Sequence, residues 1–268
     1  MKHERILYED NDVIICHKPA GIATQTARVG QADMVSEIAN YLNAKKGSVA
    51  RKSPYVGVVH RLDQPVEGIL VFAKNKQAAA VLSRQAAGDE MKKEYLALVC
   101  GKNMQRSGEL TDYLVKDGKM NTSRIVPPEV KGAKEARLSY EVLREDLSEI
   151  LFSDTKAGEG FSVSERETNC GELLRAAVVK ICLHTGRHHQ IRVQMANAGM
   201  PLLGDHKYAD EDVIALSEKL GIRETALCAY RLAFTHPKSG RRMQFELQPE
   251  SAVFRKISME ARTARNRK

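Results

Sequence analysis

Apolar and polar positions along the chain switch between two periods. Ile6-Leu7-Tyr8-Glu9 and Val13-Ile14-Ile15-Cys16 are short apolar-rich runs flanking Asp10-Asn11-Asp12, a polar cluster with turn chemistry, so two strands are predicted at the start. Lys18-Pro19-Ala20-Gly21 then breaks the strand. Met34, Ile38 and Leu42, with Val35 and Ala39, recur at helical spacing and predict a helix over 33–45. Tyr55 to Leu62 and Gly68 to Ala73 read as strands. Asn75 is placed to cap an alanine-rich helix over 77–87.

Further strands are predicted over 93–99, 138–143 and 176–183. Gln190 to Ala198 reads as a helix. Pro201 to Asp205 reads as a turn. Val213 to Leu220 reads as a helix stopped by Gly221. Cys228 to Phe234 and Met243 to Leu247 form a predicted hairpin around Pro237-Lys238-Ser239-Gly240. Arg144 to Gly171, rich in Ser, Glu, Thr and Gly, reads as a long loop or insertion, and Arg262 to Lys268 as a basic end without an apolar stripe. Strand pairs outnumber βαβ units, so the expected class is α+β around a mixed, largely antiparallel sheet.

Composition narrows the function classes. The 268 residues are ample for a core, and 43% apolar with 28% charged residues is the balance of a folded globular chain. A net charge of +8 favours a polyanionic partner. No secretory signal fits the start, and Ile69-Leu70-Val71-Phe72-Ala73 is far too short to span a bilayer, so the expected place is the cytoplasm, away from membranes. The five cysteines are widely spaced with no Cys-x-x-Cys, which argues against a disulfide framework or thiolate zinc site.

Two runs concentrate chemistry. In Val59 to Lys74, apolar segments bracket a polar loop carrying His60, Arg61, Asp63 and Glu67, an arrangement in which a rigid scaffold presents reactive groups. Leu183 to Gln194 places Arg187 and Arg192 with His184, His188 and His189 after a strand. The four-residue spacing of His184 and His188 admits a metal reading, but no zincin-type Glu lies between them. Basic residues opening a helix also suit phosphates, which fits the overall charge better.

His60-Arg61-Leu62-Asp63 followed by Gly68-Ile69-Leu70-Val71-Phe72-Ala73-Lys74 resembles the signature of the RluA-like pseudouridine synthases. Lys18-Pro19-Ala20-Gly21 resembles that family's Lys-Pro-x-Gly element, and Lys93-Glu94-Tyr95 its Lys-x-Tyr strand. Thr185-Gly186-Arg187-His188-His189-Gln190-Ile191-Arg192 resembles its late Thr-Gly-Arg-x-His-Gln-Leu/Ile-Arg motif. Gly204-Asp205, Tyr208 and Phe234-x-His236-Pro237 also fall in order, so the likeness runs from about residue 8 to about 255.

The resemblance implies an RNA pseudouridine synthase fold with a central RNA-binding cleft and isomerisation of uridine in rRNA or tRNA. It implies Asp63 as the catalytic nucleophile, Arg192 as the cation beside it and Tyr95 as the aromatic face for the uracil. It also implies RNA contacts from Arg61, Lys93, Arg187 and Gln190. No cofactor, nucleotide or metal is expected, and the expected state is a monomer. Residues 1–258 are then one catalytic domain without a preceding RNA-binding domain, with 144–171 as a flexible insertion and 259–268 as a basic tail.

The chain departs from the family pattern at Val66-Glu67, where Thr-Ser is usual, and at His188, where Thr is usual. A non-catalytic RNA-binding protein on the same scaffold is the competing reading. A metal hydrolase built on His184, His188 and His189 is a third.

Overall fold

The computed structural model describes residues 5–26, 30–46, 53–145, 147 and 175–265. Most of the expected insertion (148–171) and the last three residues of the expected tail lie outside these. In chain order the elements are β1 (Ile6–Glu9), β2 (Val13–Lys18), α1 (Met34–Lys46), β3 (Gly57–Val58), β4 (Glu67–Ala73), α2 (Lys76–Ala87) and β5 (Lys92–Gly101). There follow β6 (Ser107–Asp117), β7 (Thr122–Val126), β8 (Lys134–Arg144) and β9 (Arg175–Leu183). The last are α3 (Gln190–Asn197), α4 (Glu211–Lys219), β10 (Leu227–Thr235), β11 (Arg242–Glu246) and α5 (Ala252–Arg265). The class is the expected α+β, with mostly antiparallel strand pairing. The chain divides into two compact units: Met1–Glu94 with Ala229–Gln248, and Tyr95–Cys228 with Pro249–Lys268.

In the first unit the strands lie in the order β1-β2-β4-β10, with β3 beside β4 and β11 beside β10. Every residue of β2 and β4 is buried, which is why both read as continuous apolar runs instead of alternating ones. They pair antiparallel from Val13↔Ala73 to Lys18↔Gly68. Asn75 caps α2 as expected, its side chain accepting from the Ala78 N–H at 2.8 Å. The helix buries Ala78, Leu82 and Gln85 and joins a core with Ile69, Val71 and Phe234. Gln85 completes the end of β10 with its side chain: Nε2 donates to the Thr235 carbonyl and Oε1 accepts from the Thr235 N–H, both at 2.8 Å. The predicted β10–β11 hairpin is present, in register from Arg231↔Glu246 to Thr235↔Arg242.

The expected strand over 55–62 is corrected to the two residues of β3. Beyond Val58 side chains take the place of the ladder: His60 Nε2 accepts the Val71 N–H of β4 at 3.3 Å, and the Leu62 backbone bonds to the Thr24 hydroxyl. These bonds replace a ladder, so the segment departs from the sheet.

The second unit orders its strands β5-β9-β8-β6-β7. On β8, Ala136, Leu138 and Tyr140 alternate inward, and their neighbours face out. The β6–β7 hairpin is an addition to the expected elements. Few of its residues are buried, chiefly Leu114 and Val126, so its hydrophobic signal is faint. α3 is short and almost wholly buried, and Asp210 caps α4 by accepting from the Val213 N–H at 2.9 Å. α5 extends across most of the stretch read as a tail.

Candidate active site

Asp63 is half-buried on the connection between β3 and β4, flanked by buried Leu62 and exposed Arg61 and Gln64. Its carbonyl accepts from the Val66 N–H at 3.1 Å, which closes a turn. The segment following β2 holds this turn. The Thr24 hydroxyl donates to the Leu62 carbonyl at 2.9 Å and accepts from the Leu62 N–H at 3.1 Å. The fully buried Lys18 ammonium donates to the carbonyls of Pro19 (3.0 Å), Ile22 (2.6 Å) and Gln64 (3.1 Å). The Gly21 N–H also donates to the Gln64 carbonyl, at 2.9 Å.

His60 anchors the same connection. Burial of its ring, with repulsion from the Lys93 ammonium, pushes its pKa down to about 3. The ring is therefore neutral near pH 7, with the proton on Nδ1 and Nε2 accepting from Val71. Lys93 is itself buried on β5, and desolvation lowers its pKa, opposed in part by Asp89. Glu67 points into the protein. It is 4% exposed, and its Oε2 lies 3.8 Å from His17 Nε2. With Val66 also buried, the departure from Thr-Ser is an internal repacking.

In the second unit, Tyr95 is buried on β5. Arg192, on α3, is 4% exposed and donates from Nε to Asp205 Oδ2 at 2.7 Å and from Nη2 to Oδ1 at 2.6 Å. The guanidinium carbon lies 5.2 Å from the centroid of the Tyr208 ring. The Tyr208 hydroxyl accepts from the Ser123 N–H at 2.8 Å and sits 2.7 Å from His189 Nδ1. His188 stacks on His189 at 3.7 Å and bridges to Ser123 Oγ (2.9 Å) and Asn121 Oδ1 (3.2 Å). The residue standing where Thr is usual thus ties the late motif to the β6–β7 turn.

The remaining expected RNA contacts differ in kind. Arg187 is exposed, with Nε donating to the Glu135 carbonyl at 2.7 Å. Gln190 is 3% exposed and fully occupied: Oε1 accepts from Thr185 Oγ1 and the Arg187 N–H, and Nε2 donates to the Arg137 carbonyl and Gln194 Oε1. Those bonds make it a support for the loop that carries Arg187.

The histidines of the metal reading are directed to separate partners: His184 to Ser139 at 3.1 Å, His188 to Asn121 and Ser123, His189 to Tyr208. Among the described residues, a possible three-ligand cluster falls instead at Asp10, Asp12 and His236. There the Asp10 carboxylate accepts from the Asp12 and Val13 N–H groups, the Tyr8 hydroxyl and His236 Nε2. That pattern ties the β1–β2 turn to the β10–β11 turn. Thr24 was not legible as part of the site, because a lone threonine in a turn carries no periodic signal. Asp205 and Tyr208 were visible by position but not by role.

The family model described as RNA pseudouridylate synthase matches residues 12–197. Ribosomal large subunit pseudouridine synthase C of Haemophilus influenzae is 32% identical over 241 residues, covering 90% of this chain and 64% of the relative. The chain thus spans somewhat under two thirds of that relative's length. tRNA pseudouridine synthase C of Haemophilus ducreyi is 31% identical, over 87% of this chain and 86% of its own. Among solved structures, Human RNA Pseudouridylate Synthase Domain Containing 4 superposes with a TM-score of 0.66 at 21% identity, covering 97% of this chain and 93% of that one. This last likeness concerns the fold.

Proposed function

The chain belongs to the RNA pseudouridylate synthase family, and from that premise we propose that it isomerises uridine to pseudouridine in rRNA or tRNA with Asp63 as nucleophile. The reaction breaks the N1–C1′ bond, turns the uracil and joins C5 to C1′. Atoms and oxidation state are conserved, so the reading needs no redox cofactor or nucleotide. The observation that carries it is the Asp63 turn: a half-buried carboxylate whose two neighbours are pinned by a buried lysine and threonine. A nucleophile needs fixed geometry more than reach.

The other roles follow the family motifs. The target base leaves its stack before reaction. Tyr95 receives the uracil face, an interaction of about 1–3 kcal/mol per base. By the family motif, Arg192 is the cation that balances the Asp63 carboxylate; within its own unit, Asp205 and Tyr208 hold the guanidinium in one plane. Arg61 and Arg187, both exposed, suit phosphate contact or entry into the gap left by the base. Lys93 and Gln190 act behind them. The names of the similar proteins, which specify the ribosomal large subunit and tRNA, support RNA as the substrate. The protein acts as a monomer in the cytoplasm.

The test is release of tritium from C5 of labelled uridine in rRNA and tRNA transcripts. Wild type should release label and form pseudouridine, and Asp63→Asn should do neither. Label released equally by both proteins would remove Asp63 from the mechanism.

A further inference from the structure

Resting on the assignment of Asp63 above, we infer that Thr24 and Lys18 are positioning residues that hold the nucleophile's backbone from both sides. A buried peptide group outside a helix or sheet still needs hydrogen-bond partners. The Asp63 turn lies outside the strand ladder, and its neighbours find those partners in one short segment, 18–24. A threonine hydroxyl has one proton to donate and lone pairs to accept with. Thr24 uses both functions on one residue, Leu62, whose N–H and carbonyl it takes at 3.1 and 2.9 Å. An ammonium has three donors. Lys18 spends them on Pro19, Ile22 and Gln64, joining the 19–22 turn to the residue after Asp63.

The clamp is reinforced at its edges. The Gly21 N–H gives the Gln64 carbonyl a second donor, and Gln64 Nε2 returns a bond to the Gly21 carbonyl at 3.0 Å. Gly21 has φ 84°, the left-handed geometry that lets this turn close. Farther along, the Met34 N–H donates to the Ala23 carbonyl at 3.0 Å and the Thr26 N–H to Asp33 Oδ2 at 2.6 Å, so the segment is moored to the start of α1. Asp63 therefore has fixed peptides before and after it, and its own carbonyl is engaged by Val66. Its carboxylate is therefore presented from a fixed backbone. Thr24 is 3% exposed and Lys18 wholly buried, so neither acts by touching RNA.

The experiment compares wild type, Thr24→Val, Thr24→Ser and Thr24→Ala in single-turnover tritium release. The substrate is C5-tritiated bulk RNA from cells lacking this gene, and each variant's melting temperature is measured alongside. Thr24→Val keeps the shape and loses both bonds to Leu62. It should slow the rate at saturating RNA by about 10- to 100-fold, the scale for a misplaced reacting group. The half-saturating RNA concentration should stay where it is, and Thr24→Ser should recover most of the rate. A full rate in Thr24→Val, or a loss that Thr24→Ser fails to restore, would overturn the inference. If Thr24→Val does not fold, Thr24→Ala, which also removes both bonds to Leu62, decides: a lowered rate with unchanged RNA affinity supports the clamp, and a wild-type rate refutes it. A wild type that releases no label overturns the functional reading and this inference with it.

Discussion

Arg192 and Asp205 meet through two parallel hydrogen bonds, Nε to Oδ2 at 2.7 Å and Nη2 to Oδ1 at 2.6 Å, with both residues at least nine-tenths buried. A guanidinium and a carboxylate match in this fork geometry as lysine cannot. Removing one charge leaves the other desolvated, a loss of about 3–5 kcal/mol for a buried pair. Asp205→Asn should therefore lower the unfolding free energy by that order in urea titration, and should cut turnover as the Arg192 plane loosens. Arg192→Lys, which keeps the charge and loses the fork, should cut turnover with a smaller loss of stability. Undiminished stability in both variants would mean that the pair contributes nothing net.

His60 gives the stability a pH dependence of definite sign. Its pKa is near 3 in the fold against an ordinary 6.5, so between these values the unfolded chain binds the proton and the fold does not. The contribution is present above pH 6.5 and is lost as the pH falls toward 3. The unfolding free energy should thus decline across this window, and His60→Gln should flatten the decline. Parallel wild-type and variant curves would show that another group is responsible.

Gly68 opens the apolar part of β4 with φ 140°, and a Cβ there would lie 2.5 Å from the Ala229 carbonyl oxygen. Backbone cannot give way as a side-chain tip can. Gly68→Ala should lose about 1–3 kcal/mol, the range for overpacking, with added strain from the backbone angle. Thermal unfolding measures it; a melting temperature equal to that of wild type would show that the strand can shift.

What was legible in the sequence had strong periodic or positional marks. The buried β2–β4 pair, the capped α2 and the β10–β11 hairpin fall close to their expected bounds because each combines an apolar run with a cap or turn. The β6–β7 hairpin escaped because most of its residues face out. The overlong strand at 55–62 arose because apolar content says nothing about partners: the Leu62 backbone is satisfied by the Thr24 hydroxyl, and the His60 ring takes a β4 N–H in place of a strand. Asp63 was legible from its motif. Of the residues holding it and Arg192, Lys18 and Asp205 were visible in their motifs but their partners were not, and Thr24, 38 positions from Leu62, was not visible at all.

The most direct test of Asp63-dependent isomerisation is pseudouridine mapping of total RNA from cells with and without this gene, by carbodiimide modification and primer extension. Loss of one or a few sites, restored by wild type and not by Asp63→Ala, is the predicted result. Sites restored equally by Asp63→Ala, or no lost site together with no activity on any transcript in vitro, would contradict it and leave a protein that binds RNA on this scaffold without catalysis.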